Sequence, residues 1–135
     1  MKLQEIRKIA LRTREEFESR KILDKNLAKL YKEYCPIPNM GLFIYRSKKL
    51  FPALNCGLAS LYLRKKLREG EIVQGSYRNR NHTFLLIKEK TIVDITSDQY
   101  GGPQVFVGPL KEPWRKASNR NILNPLFNLL YSILC

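Results

Sequence analysis

Three cysteines, Cys35, Cys56 and Cys135, and one histidine, His82, are the residues of this chain best suited to nucleophilic chemistry. A thiol is mostly protonated near neutral pH and becomes a strong nucleophile where its surroundings favour the thiolate. Cys56 follows Pro52 and Asn55 and precedes Leu58, Leu61, Tyr62 and Leu67 at helical spacing. It therefore falls in the first turn of a helix, where amide donors and the positive end of the helix dipole favour an anion. The bland alternative is a buried structural cysteine. Any base titrating near neutrality must be His82, since there is no other histidine. The apolar run at 84–87 behind it anchors a strand and leaves the imidazole near the sheet's end, although a solvated loop position beside Arg78, Asn79, Arg80 and Asn81 is the competing reading.

A third group completes the set. Residues 83–87 and 91–95 read as two strands joined by the tight turn Lys88, Glu89 and Lys90. A hairpin centred near Glu89 sets His82 opposite residue 95 or 96, so the Asp94 carboxylate comes within reach of the imidazole, given a bulge or a slight slip in register. A carboxylate there holds the ring in its productive tautomer. Ile92, Val93 and Ile95 surround Asp94 with apolar side chains, where an unpaired charge would be costly.

These residues have to be positioned by the rest of the chain. Leu3, Ile6, Ile9, Ala10 and Phe17 mark an amphipathic helix, and a second begins near Asp24 as N-cap, shows Leu27, Leu30, Tyr31 and Tyr34 on one face, and stops before Pro36 and Pro38. Residues 42–45 are a short apolar run of undetermined type. Gly70 closes the Cys56 helix, Glu71–Tyr77 is a strand, 104–107 is another, and 123–134 reads as a buried C-terminal helix. Helices first, antiparallel strands after and a closing helix give an α+β class. The expected organisation is one domain over 1–135, with N-terminal helices in 1–35, the catalytic helix and sheet in 55–109, and a C-terminal helix in 121–135.

Composition bounds the function. The chain is 44% hydrophobic and 27% charged, a globular balance. An odd cysteine count at wide spacing, with a single histidine, argues against a disulfide scaffold and a metal site, so no cofactor or metal is expected. The N-terminus lacks the apolar core of a secretory signal, and nothing reaches the run of about 18 apolar residues that a membrane span needs. The expectation is a soluble protein in a reducing compartment, with no membrane span. Lys and Arg outnumber Asp and Glu by 25 to 12, a net charge of +13, which attracts acidic surfaces or polyanions.

The segments Cys56-Gly57-Leu58-Ala59-Ser60, His82-Thr83-Phe84 and Val93-Asp94-Ile95-Thr96, the last followed by Gln99-Tyr100-Gly101-Gly102, resemble the papain-fold toxin and deamidase families, relatives of the papain-like and transglutaminase-like thiol enzymes. The resemblance covers residues 55–109. It implies a papain-like fold, with the nucleophile at a helix N-terminus packed on a small antiparallel sheet, and a Cys56, His82 and Asp94 triad acting on amide bonds of a protein substrate as protease, deamidase or transglutaminase. It also implies an effector with a cognate immunity or inhibitor protein, cytoplasmic or delivered into a target cell's cytoplasm. The basic surface suggests an acidic or nucleic-acid-associated substrate. One departure stands out: papain relatives commonly carry an oxyanion-stabilising Gln six residues before the cysteine, where this chain has Leu50. Asn55, the backbone amide of Cys56 and Gln99 are the candidate replacements.

Two other functions compete. A basic nucleic-acid-binding protein or nuclease would use Tyr77, Arg78, Arg80 and His82 on phosphate and base, and an interaction module would retain a degenerate site. Asp98, after Ser97, reads as a turn former. Trp114, beside Arg115 and Lys116, is a core residue or a partner contact, and Cys35 and Cys135 read as structural.

Overall fold

The computed structural model describes residues 1–117; the expected C-terminal helix and Cys135 lie outside them. Four helices come first, α1 (Leu3–Glu18), α2 (Asp24–Tyr34), α3 (Met40–Leu50) and α4 (Cys56–Leu67). Five strands follow, β1 (Glu71–Tyr77), β2 (Arg80–Ile87), β3 (Thr91–Asp94), β4 (Phe106–Pro109) and β5 (Trp114–Arg115), with a 3-10 helix at Ser97–Tyr100 between β3 and β4. The class is α+β. All strand pairings are antiparallel, in the order β4-β3-β2-β1-β5.

Helix α4 lies across β1, β2 and β3, with α1 and α2 packed against it and α3 against α2. Gly57, Leu58, Ala59, Ser60, Leu61, Leu63 and Leu67 are all buried, so the first two turns of α4 are enclosed nearly all round, and the exposed Arg64, Lys65 and Lys66 are confined to its last turn. Alternation along the strands splits the core. Leu85, Ile87, Val93, Ile95 and Val107 join the helices in one layer. Val73, Tyr77, Phe84, Leu86, Ile92 and Trp114 form a second cluster.

Several expectations need correction. The run at 42–45 belongs to α3, whose N-cap Asn39 accepts from the Leu42 amide. Asp24 is the first residue of α2 rather than its cap; there it complements the helix dipole and pairs with Lys48. Arg68, not Gly70, takes the left-handed position that ends α4. Strand β2 begins at Arg80, because Arg78 and Asn79 both adopt positive φ and make a two-residue hairpin turn between the paired Tyr77 and Arg80. Strand β5 was not foreseen, being two residues long. Its approach to β1 depends on Gly75, where a Cβ would lie 2.1 Å from the Arg115 carbonyl oxygen. Cys35 is buried in the helical core, in keeping with its reading as a structural residue.

Candidate active site

Cys56 is the first residue of α4 and is partly exposed. Its position is fixed from both sides. Asn55 before it is buried, and its side-chain nitrogen donates to the carbonyls of Ser47 (2.8 Å) and Ala53 (2.7 Å), which ties the chain entering α4 to α3. One turn later, Ser60 Oγ donates to the Cys56 carbonyl (2.6 Å) and contacts the Thr83 carbonyl (3.3 Å). The first turn of α4 is thereby joined to β2 next to His82.

His82 is the third residue of β2 and is 1% exposed, so the solvated-loop reading does not hold. Its Nε2 donates to Asp94 Oδ2 at 2.6 Å. No bulge or slip is needed. The β2–β3 register pairs Leu85 with Val93, which sets Asp94 across from Phe84, and side chains two apart on a strand share a face. Asp94 therefore meets His82 diagonally, within the reach expected between neighbouring strands.

The carboxylate is fully engaged. Oδ2 also accepts from the Trp114 indole N–H at 2.8 Å, and Oδ1 accepts from the Thr96 amide (2.9 Å) and hydroxyl (3.3 Å). Trp114 is the contributor that sequence reasoning missed. It was legible as a core residue or a partner contact, and the usable signal was that a buried indole N–H needs an acceptor. Phe106 stacks on its ring at 4.2 Å. Tyr77 and Tyr100 meet the imidazole edge-on at 6.0 and 5.6 Å.

With Nε2 committed to Asp94, Nδ1 remains buried without a hydrogen-bond partner. The Cys56 thiol lies near enough to the ring that each group shifts the other's pKa. Burial alone would raise the thiol pKa, but His82 beside the sulfur, assisted by the Thr83 amide and hydroxyl, brings it below the ordinary value. Burial would likewise lower the imidazole, yet the charge and hydrogen bond of Asp94, with a contribution from Cys56, push His82 up to about 10. Asp94 opposes its own burial through His82, Trp114 and the Thr96 amide, and stays below the usual carboxylate range. One shift down and one up favour a thiolate–imidazolium pair, which titrates as a unit.

The two oxyanion candidates fare differently. Both N–H groups of the Asn55 amide are spent on backbone carbonyls, so Asn55 is a brace and not a donor to substrate. Gln99, in the 3-10 helix, has a buried side-chain nitrogen without a partner. No side chain caps α4, which leaves its first-turn amides without a side-chain acceptor.

Asp98, read as a turn former, is the anchor of that 3-10 helix. It receives Nη1 and Nη2 of Arg14 at 2.8 and 2.9 Å. Arg14 is itself buried on α1, donates to the Ile95 carbonyl at 2.8 Å and lies over the Phe51 ring. The competing set for nucleic-acid contact is split by burial: Tyr77 and His82 are 2% and 1% exposed and present no ring to a base, whereas Arg78 and Arg80 are exposed. Among the described residues no helix is long and apolar enough to cross a membrane. Compared with protein-family models, curated proteins and solved structures, the chain matches none, and the reading of the site rests on its own geometry.

Proposed function

We propose that the protein is a thiol enzyme acting on amide bonds of a protein substrate, with Cys56 as nucleophile, His82 as acid and base, and Asp94 as the group that orients and charges the histidine. The observation carrying this reading is the buried His82–Asp94 contact at 2.6 Å, with the other imidazole nitrogen left for Cys56. The Cys56 thiolate attacks the amide carbonyl, and the developing oxyanion is met by the first-turn amides of α4 and by Gln99. The tetrahedral adduct collapses to a thioester as the amine leaves with the proton carried by His82. Water, deprotonated by His82, then hydrolyses the thioester and restores the thiol, or an acceptor amine takes the acyl group instead.

Papain-like architecture, and the effector role with a cognate inhibitor that goes with it, are part of this proposal and rest on the sequence resemblance around Cys56, His82 and Asp94. Protease, deamidase and transglutaminase share the first half of the reaction. They are separated by incubating the protein with a peptide pool and reading the products by mass spectrometry. New N-termini mark hydrolysis of the backbone, glutamate at former glutamine marks deamidation, and cross-links mark acyl transfer. One of these changes is expected with wild type and lost in Cys56→Ala. Product formation that survives Cys56→Ala, or an unaltered pool, contradicts the proposal.

A further inference from the structure

The tip of the β1–β2 hairpin brings two cations to the rings that flank His82. Arg80 lies two residues before His82 on β2, so both side chains leave the same face of the strand. Its guanidinium carbon is 5.5 Å from the centre of the Tyr100 ring, and that ring packs edge-on to the imidazole at 5.6 Å. Arg78 contacts the second ring. Its guanidinium carbon is 5.5 Å from the centre of Tyr77, the second ring against His82, and its Nη1 donates to the Tyr100 carbonyl at 3.4 Å.

Both arginines are exposed, and neither forms an ion pair within the described residues. The carboxylates of this region are committed elsewhere: Asp94 to His82 and Trp114, Asp98 to Arg14, and Glu112 to Arg115. Two positive charges are thus held by ring contacts, one of them also by a hydrogen bond, one aromatic ring away from the reacting pair, with no counter-charge paired to them among the described residues. A guanidinium lying on a ring keeps its edge N–H groups free for a carboxylate, which it grips in a two-point contact.

We infer that Arg80 and Arg78 form an anion subsite of the thiol centre, and that its amide substrate is an acidic peptide carrying a carboxylate beside the bond attacked. The inference rests on the thiol-enzyme reading above. A single-stranded nucleic acid fits the same charges less well, because its affinity draws on open aromatic platforms for base stacking. Here Tyr77 is buried and Arg80 lies over Tyr100.

Iodoacetate and iodoacetamide test this, because they differ chiefly in carrying a carboxylate or a neutral amide. The rate at which each labels Cys56 is read by peptide mass spectrometry, and their ratio is normalised to that for glutathione. Wild type is expected to favour iodoacetate. Arg80→Gln and Arg78→Gln should each lower the ratio by about twofold to fivefold, the size of one partly screened charge, while the iodoacetamide rate stays constant. Arg80→Lys, which keeps the charge, should retain most of the preference, and ~1 M salt should abolish it. A Glu-rich peptide should suppress iodoacetate labelling. Fast iodoacetamide labelling with an unchanged ratio in both Gln variants overturns the subsite alone. Labelling by both reagents no faster than glutathione removes the thiol-enzyme reading and the subsite with it. Stronger suppression by a single-stranded oligonucleotide than by the Glu-rich peptide overturns the assignment to an acidic peptide.

Discussion

Replacing Asp94 by asparagine is expected to slow iodoacetamide labelling of Cys56 at pH 6 by about 100-fold, because a thiol returned to its ordinary pKa near 8.5 is almost wholly protonated there. The change is isosteric, yet no orientation of the new amide satisfies the site. With its oxygen toward His82 and Trp114, its N–H groups face the Thr96 amide; turned over, they face the imidazole and indole N–H groups. At least one buried donor is left unpaired, at about 1–3 kcal/mol.

The stability loss should depend on pH with a definite sign. In wild type the folded-state pKa of His82 is raised from 6.5 to about 10. The stability this brings is fully present below the unfolded value and is lost as pH rises through the folded one. Below about pH 8.5 the lowered pKa of Cys56 contributes the opposite slope, because the unfolded thiol is still protonated there; the gap between wild type and Asp94→Asn in urea unfolding should therefore narrow as pH rises from about 8.5 to about 10. A gap that is constant or widens over that range contradicts an imidazolium paired with Asp94.

The second large effect lies away from the thiol. Arg14→Leu should cost about 3 kcal/mol in unfolding free energy, since removing one partner of a largely buried pair leaves the other uncompensated. Asp98 loses both of its guanidinium bonds and the Ile95 carbonyl loses a donor. Because Asp98 sits in the 3-10 helix that carries Gln99 and holds Tyr100 against His82, the variant should also lose Cys56 reactivity under conditions where it remains folded. Asp98→Asn, which retains one acceptor for Arg14, should show a smaller loss of both. Equal stability of Arg14→Leu and wild type would mean that this brace does not hold the 3-10 helix.

How much of this was legible follows from how local each signal is. The span of β1 and the placement of Cys56 at a helix start could be read from spacing and turn residues alone. The nearness of Asp94 to His82 followed from a short hairpin, although strand parity, rather than the bulge the reading called for, is what joins them. Helix α3 was hidden because its apolar residues are not confined to one buried face: Leu42, Tyr45 and Leu50 face solvent, while Ile44 and Ser47 are buried.

Arg14 and Trp114 depend on partners some 84 and 20 residues away, and pairing over such distances leaves no periodic trace. One clue to Arg14 was available. It continues the stripe Ile6, Ala10 and Phe17 that α1 buries, and a charge on a buried stripe requires a counter-charge. The two-residue turn at Arg78 and Asn79 contains no glycine, so the start of β2 was placed three residues late and His82 was drawn toward the sheet's edge.

The central claim is that Cys56 and His82 share a proton in a site charged by Asp94, and the most direct measurement is the rate of iodoacetamide labelling at Cys56 against pH in wild type and His82→Gln. Wild-type Cys56 is expected to react at pH 6 nearly as fast as at pH 8, and the variant to revert to an ordinary thiol whose rate climbs steeply up to its pKa of about 8.5. A wild-type profile already like that of an ordinary thiol, and unchanged by His82→Gln, would contradict it.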